Sequence, residues 1–479
     1  MTDCTTKHTE IKTLGKRVLT AGFDGGHISS DAGMILLERV EQVVDLIGRA
    51  AGCFDDHRAP DLIEHRVGEL LRQRVFGLCP GYEDLNDHDE LSRDPLLAAV
   101  VGKADPDGTG RRRKRDRGRP LAGKATLNRL ELSDPATAGL DRYKKIALDG
   151  EALRRLFVEV FIEAHAAPPA QIIIDLDATD DPLHGQQEGR FFHGYYKEYC
   201  YLPVYAFVGD HLLAAELDVA STDASAKAVE ILQRLVPQIR QQWRGQTEIV
   251  VRGDSGFCRE EIMAWCEANR VKYVLGLARN SRLVEAIAAE LAAVERQYEA
   301  TEQAARLFAE FAYATRGSWS RRRRVVAKAE HLAKGANPRF VVTNLPRRRV
   351  AAWALYEQVY CARGEMENRI KEQQLYLFAD RTSTAAMRSN QLRLWFSSLA
   401  YTLLAALRRE GLGGTSLARA RCDTIRLKLL KIGAAVRVTV RRVWVSLSSS
   451  YPRQGLFFGV LDRLAAALAA RQQRSPLRL

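Results

Sequence analysis

The chain has 479 residues, 46% hydrophobic and 27% charged, which is the balance of a folded globular protein rather than a disordered one, and its length suggests about three domains. Lysine and arginine total 72 against 59 acids, and the resulting net charge of +13 points first to a polyanionic partner. No stretch approaches the roughly 20 uncharged apolar residues that cross a bilayer, Met1 to Leu19 is too polar for a signal peptide, and the eight cysteines (4, 53, 79, 200, 258, 266, 361 and 422) include no CxxC pair, which argues against a zinc finger or disulfide framework and suits a reducing cytosol.

Along the chain, the first dozen residues read as frayed. Lys16 to Phe23 is β-like and runs into the turn signal Asp24-Gly25-Gly26-His27. Helical periodicity follows over Ala32 to Ile47 and Ala59 to Phe76, with a shorter helix from Asp94 to Val101. A Pro/Gly loop, Asp105 to Gly110, then leads into a basic arm, Arg111 to Arg119, seven of whose nine residues are cationic. Such a run is either a solvated linker or a mobile arm touching phosphate.

After a helix over Glu151 to Ala166 the period changes. Gln171 to Asp177 is a short apolar run of the kind found in buried strands, and Tyr201 to Val208 with His211 to Asp218 reads as a hairpin. Ala224 to Trp243 is helical, Thr247 to Val251 is a second buried strand ending at Arg252-Gly253-Asp254, and a helix (Glu260 to Asn269) and strand (Tyr273 to Leu277) follow. This alternation predicts an α/β core beginning near residue 145. Ser281 to Phe311 reads as helical, with strands at Arg321 to Ala329 and Arg339 to Thr343. Helix returns at Ala351 to Tyr356, Gly364 to Gln373 and Ala385 to Arg409. Val436 to Leu447 alternates like one strand, and Gly459 to Gln472 reads as a closing helix. The last segment, Gly411 to Leu479, holds 13 Lys/Arg and two acids (13 − 2 = +11), most of the excess charge.

Two of the buried strands end in acids: Asp175 and Asp177 in the first, Asp254 in the second. Strand ends are where an open α/β sheet places its chemistry, and Glu367, early in a later helix, is a third candidate. Three carboxylates at one point repel unless a divalent cation neutralises them, and an all-oxygen donor set suits Mg²⁺, with Mn²⁺ as a substitute. Two such ions about 4 Å apart are a standard device for in-line phosphodiester displacement.

The segment Tyr360-Cys-Ala-Arg363-Gly-Glu-Met-Glu367-Asn-Arg-Ile-Lys371 resembles the Tyr-x-x-Arg-x-x-x-Glu signature of bacterial DDE-type insertion-sequence transposases. Asp177-Ala-Thr179 is similar to the family's first catalytic strand end, and Arg252-Gly-Asp254-Ser-Gly-Phe257 to its second. The stretch Asp181-Pro-x-His184-Gly185-x-Gln187-Glu188-Gly189, followed by Tyr196-Lys197-x-x-Cys200-Tyr201-x-Pro203, points to the subgroup with a group 1 DDE domain. The likeness spans roughly Thr20 to Phe458.

The resemblance implies an α/β fold: an RNase H-like catalytic core (146–280 and 351–410) interrupted by a β-containing insertion (281–350). A mainly helical N-terminal DNA-binding region (1–145) precedes it and a basic C-terminal region (411–479) follows. It also implies that Asp177, Asp254 and Glu367 are catalytic and hold two Mg²⁺ ions. Tyr360 and Arg363 would contact phosphates near the scissile end, and Lys371, one turn beyond Glu367, is a further phosphate contact. Relatives often carry a lysine seven residues after the glutamate; here that position is Gln374. In the insertion, Trp319 beside Arg321, Arg322, Arg323 and Arg324 is either a base-stacking residue with phosphate-holding arginines or a tryptophan packed into the insertion's own core. The arm residues Arg111, Arg112, Arg113, Lys114 and Arg115 are the remaining DNA-binding candidates.

Asp175 is the alternative first carboxylate, since i and i+2 on a strand share a face; the following Ala-Thr favours Asp177. Asp180 and Asp181 read as turn acids, and His184 and His193 as structural histidines flanking an aromatic segment. The function implied is cut-and-paste transposition in the cytoplasm on nucleoid DNA, acting on double-stranded terminal inverted repeats and target DNA, with a homodimer on paired ends and no membrane. The rivals are an RNase H-like nuclease without strand transfer and a non-catalytic DNA-binding repressor derived from a transposase.

Overall fold

A computed structural model describes residues 7–474. They divide into two compact units. One comprises 150–375 and 379–398; the other comprises 7–149, 376–378 and 399–474.

The 150–398 unit is built on a nine-stranded mixed sheet. In chain order its strands are β1 (Gln171–Ala178), β2 (Val204–Val208), β3 (His211–Glu216), β4 (Glu248–Gly253), β5 (Lys272–Leu277), β6 (Ala305–Tyr313), β7 (Arg323–Leu332), β8 (Gly335–Ala336) and β9 (Arg339–Thr343). The spatial order is β3-β2-β1-β4-β5-β9-β7-β6, with β8 paired to β7. β1, β4 and β5 are parallel neighbours, and the other pairs are antiparallel. Helices cover both faces, so the parallel strands are apolar on both sides. Ile249 and Val251 of β4 join the larger core with Ile172, Ile174, Ile231 and Leu235, while Val250 between them joins Val274, Val341 and Leu355 on the opposite face.

The segment expected to be helical throughout, 281–311, is not. Helices Ser281–Glu285 and Ala288–Thr301 end at Glu302, whose φ of 53° reverses the chain into β6. Alanine and charge raise helix propensity over Ala305–Tyr313, but nine consecutive register pairs with β7 override it. The strands of this segment extend the same sheet as β1 and β4, joined through the β5–β9 pair.

In the other unit, the first dozen residues are not all frayed: Thr9–Leu14 pairs with Arg17–Ala21, while residues 1–6, Cys4 among them, lie outside the described residues. The helix expected over Ala59–Phe76 starts only at Val67, where the Glu69 carboxylate accepts the Arg66 N–H at 2.8 Å and sets the start. The strand expected over Val436–Leu447 is a hairpin, Ala434–Val438 with Val443–Leu447, closed between Thr439 and Arg442. Its first strand also pairs with Ile28–Ser29, and helix Met34–Val44 packs on helix Gln454–Arg474. Two cations of the basic terminal segment serve this fold: Lys431 pairs with buried Asp31 at 2.7 Å, and Arg426 donates to the carbonyls of Leu78 and Cys79.

Two buried histidines in this unit are held neutral. Burial, then the charges of Lys103, Arg111 and Arg58, push His65 down to about 3, and its Nε2 accepts from Arg111 at 3.1 Å. Burial and Arg74 likewise push His88 down to about 3. Between about pH 6.5 and 3 the unfolded chain therefore binds protons that the folded chain does not, so stability is full above the unfolded value and falls as pH drops below it. At about pH 5 each ring should have lost about 2 kcal/mol. Comparing urea midpoints at neutral pH and about pH 5, His65→Gln/His88→Gln should show a much smaller difference than wild type; an equal difference would refute the assignment.

Candidate active site

The register of the central strands brings acids from distant sequence to one edge. β4 runs parallel to β1, with Arg252 opposite Asp175 and Gly253 opposite Leu176, so the next residue, Asp254, follows beside Asp177. At Asp254 the strand ends: its carboxylate accepts the Gly256 N–H at 2.8 Å and starts a short 3₁₀ turn, Ser255–Phe257. Gly253 permits this, because a β-carbon there would meet the Phe257 ring.

The third acid arrives on helix Gly364–Lys371, which anchors itself through buried Met366 and Ile370. Arg363 and Glu367 are four residues apart and share a face. The Arg363 guanidinium bridges the group: Nη1 lies 3.1 Å from an Asp177 carboxylate oxygen and Nη2 lies 2.9 Å from Glu367. Burial pushes Asp177 up to about 6; Arg363 opposes the rise, while Asp254 and Glu367 add to it. Tyr360 completes the group. Its hydroxyl sits over Gly276 of β5, where a β-carbon would come within 2.5 Å of the hydroxyl oxygen and 3.1 Å of the Asp254 backbone. Burial raises the pKa of its hydroxyl and so keeps it protonated, with Arg363 opposing the rise and Asp254 adding to it.

Asp175, the alternative first carboxylate, is occupied elsewhere. Arg252 holds it bidentately, at 2.5 and 2.8 Å, and also donates to the Val359 carbonyl. Both partners are buried, at 7% and 8% side-chain exposure. Sequence reasoning misses Arg252 as a partner; the signal is a cation two residues before the second strand's acid, matching the spacing of Asp175 before Asp177.

The other candidates have surroundings of their own. Lys371 is exposed on the Glu367 helix. Gln374, the departure from the relatives' lysine, donates to the Asp180 carbonyl at 2.9 Å and so holds the chain just after β1. Trp319 packs edge-on against Tyr313, with the Arg323 guanidinium over it. Arg321 and Arg323 pair with Glu267, Arg323 also with Glu260, and Arg324 with Glu310, while Arg322 donates to the Ala312 carbonyl. In the other unit, Arg111 is pinned to Glu64 and His65, and Arg112, Arg113, Lys114 and Arg115 are exposed beside it. Asp181, read as a turn acid, is buried, and burial together with Asp380 raises its carboxyl well above the usual range.

The donor chemistry of Asp177, Asp254 and Glu367 suits a hard divalent cation: all oxygen, short of positive charge and at a sheet edge. Among the described residues no three His, Cys, Asp or Glu side chains stand close enough to hold an ion as arranged, and Arg363 bridges two of the carboxylates. Among the described residues, no helix is long and apolar enough to cross a membrane.

A family model described as transposase DDE domain group 1 matches residues 11–469. No curated protein matches the chain in sequence. Solved structures similar to it include the piggyBac transposase synaptic complex with hairpin DNA, 8% identical, with 94% of this chain and 83% of that chain covered and a TM-score of 0.36. With nearly its whole length matched and the signature acids brought to one sheet edge, the chain belongs to the DDE domain group 1 transposase family.

Proposed function

We propose that the chain is a cut-and-paste DNA transposase with an RNase H-like core, in which Asp177, Asp254 and Glu367 are the catalytic and metal-holding acids. The observation that carries this is the Arg363 bridge, which ties Asp177 and Glu367 together across 190 residues of chain (367 − 177) beside Asp254. Water attacks the phosphorus at each element end, the P–O3′ bond breaks and a 3′-hydroxyl is freed; that hydroxyl then attacks a target phosphodiester, displacing its 3′ oxygen. Two Mg²⁺ ions, replaceable by Mn²⁺, would activate the attacking oxygen and stabilise the leaving one. The Arg363 fork would pair with a non-bridging phosphate oxygen of the bound strand. The Tyr360 hydroxyl, held over Gly276, would donate to the same phosphate, and Lys371 to its neighbour along the strand. The region 1–145 with its basic arm would bind the terminal inverted repeats as part of a homodimer on paired ends, and the basic region 411–479 would add contacts to DNA.

The deciding experiment uses purified protein, Mg²⁺ and labelled duplex carrying the element's own ends. Wild type should cut at the ends and join the 3′-hydroxyl to a plasmid. Asp254→Asn and Glu367→Gln should bind equally but lose more than the roughly hundredfold that losing a ligand's supporting hydrogen bond costs. Cutting without joining would establish the nuclease instead, and binding without cutting in either metal the repressor.

The two aspartates of β1 should separate by assay. Asp177→Asn should abolish cleavage with little change in melting temperature. Arg252→Met, which strands the buried Asp175 carboxylate, should destabilise by about 3–5 kcal/mol. The reverse pattern would assign catalysis to Asp175.

The arm is read by salt. Replacing Arg112, Arg113, Lys114 and Arg115 by alanine should flatten the dependence of log affinity on log salt by about 0.9 for each lost phosphate contact. An unchanged slope would make the arm a solvated loop.

A further inference from the structure

Between β1 and β2 the chain makes an excursion rooted at the catalytic strand end, since Asp177 pairs with Tyr205 and Ala178 with Val204. The excursion folds into a small three-stranded sheet in which Asp181–Pro182 pairs with Glu198–Tyr201, and Glu198–Tyr201 with Phe191–His193. Its base is firmly held. The Tyr201 hydroxyl donates to the Glu188 carbonyl at 2.5 Å, the Glu188 N–H to the Ala385 carbonyl at 2.8 Å, and the Leu183 N–H to the Tyr199 carbonyl at 2.8 Å.

On this rigid base the outer part is aromatic and exposed. Tyr195 at the tip is 82% exposed, and Phe191, Phe192 and Tyr199 lie between 43% and 49%. Among the described residues, the unit of 150–375 and 379–398 exposes five large aromatics, and four are on this hairpin (the fifth is Trp353). The rings are therefore gathered, not scattered. Register puts Phe192 and Tyr199 opposite each other on one face, edge to face at 5.5 Å, with the Arg190 guanidinium 3.8 Å above the Tyr199 ring. Lys197 is exposed at the turn, and the stretch 190–199 carries two cations against Glu198. Tyr196, packed against Tyr195 at 5.0 Å, lies within electrostatic reach of Asp180 and Asp177.

Exposed rings with interleaved cations match a strand whose bases are unstacked: ring faces accept bases and the cations face phosphates. Paired, stacked bases offer no such face. We propose that the 190–199 hairpin is a stacking platform for unpaired nucleotides flanking the scissile phosphate, with Tyr195 and the Phe192–Tyr199 pair as its base-contacting rings. The inference rests on the transposase reading, and it places the strand separated at the cut against a fixed aromatic surface beside Asp177.

The test measures binding of a short single-stranded oligonucleotide and of its duplex, at fixed salt, to wild type, Tyr195→Ala, Phe192→Ala, Tyr195→Trp and the double alanine variant. Each alanine should weaken single-strand binding roughly tenfold and leave duplex binding within about twofold, and Tyr195→Trp, which keeps a ring, should restore it. End duplexes bearing 2-aminopurine next to the cleavage site should show fluorescence quenching by wild type that Tyr195→Ala loses. Tyr195 is too exposed for its loss to unfold the protein, so the single variant remains informative if the double one does not fold. Equal single-strand affinity in wild type and Tyr195→Ala, with end cleavage intact, overturns the platform and leaves the transposase reading standing. A change in sedimenting mass with unchanged DNA affinity overturns it in favour of a contact between copies. Failure of wild type to bind or cut any DNA overturns both.

Discussion

Three carboxylates cannot share one sheet edge in a low-dielectric setting without a positive charge among them, and here that charge is the guanidinium of Arg363. The arrangement around it follows from this. Asp177 is 13% exposed in its side chain and pushed toward protonation by burial and by its two acidic neighbours, whereas Glu367, at 47%, meets water. Arg363 holds the group together, its planar fork giving one nitrogen to each of two carboxylates. A lysine would supply the charge but not the planar two-sided bridge.

The same unit shows two carboxylates, two residues apart on one strand, put to different uses. Asp175 is buried and fully partnered by Arg252, and Asp177 lies where the strand leaves the sheet. What separates them is depth along the parallel strands, which fixes which pair falls inside the sheet and which at its edge. Arg252 also reaches the Val359 carbonyl, just before Tyr360. The buried ion pair thus ties β4 to the segment that delivers Tyr360, Arg363 and Glu367.

Much of this was legible in the sequence. The runs Gln171–Asp177 and Thr247–Val251 carry the unbroken apolar character that strands buried on both faces require, and both were read as strands ending in acids. The i, i+4 spacing of Arg363 and Glu367 was visible as well. The register was not, because parallel pairing joins residues nearly eighty positions apart and no local pattern encodes it; hence Arg252 was missed as the partner of Asp175. The strand Ala305–Tyr313 was hidden by alanine, whose helix propensity wins locally and loses to pairing with β7. The hairpin at 434–447 was hidden because its turn, Thr439 to Arg442, contains neither glycine nor proline and closes through a threonine hydroxyl instead. The occupation of Arg321 to Arg324 by acids of the same unit was equally out of reach, since a basic run looks the same whether its partners are phosphates or glutamates.

The unit assembled from residues 7–149, 376–378 and 399–474 is interrupted by the whole of the other one. Its helix Met34–Val44 packs against Gln454–Arg474, and its strand Ile28–Ser29 pairs with Ala434–Val438, so these contacts close loops of some four hundred residues. On a ribosome the face of Met34–Val44 that packs on Gln454–Arg474, and the strand edge of Ile28–Ser29, must therefore wait until the last segment has emerged, while the sheet that carries the acids is able to form in the meantime. A chain released early would carry the acids on their sheet but lack the contacts that close the other unit.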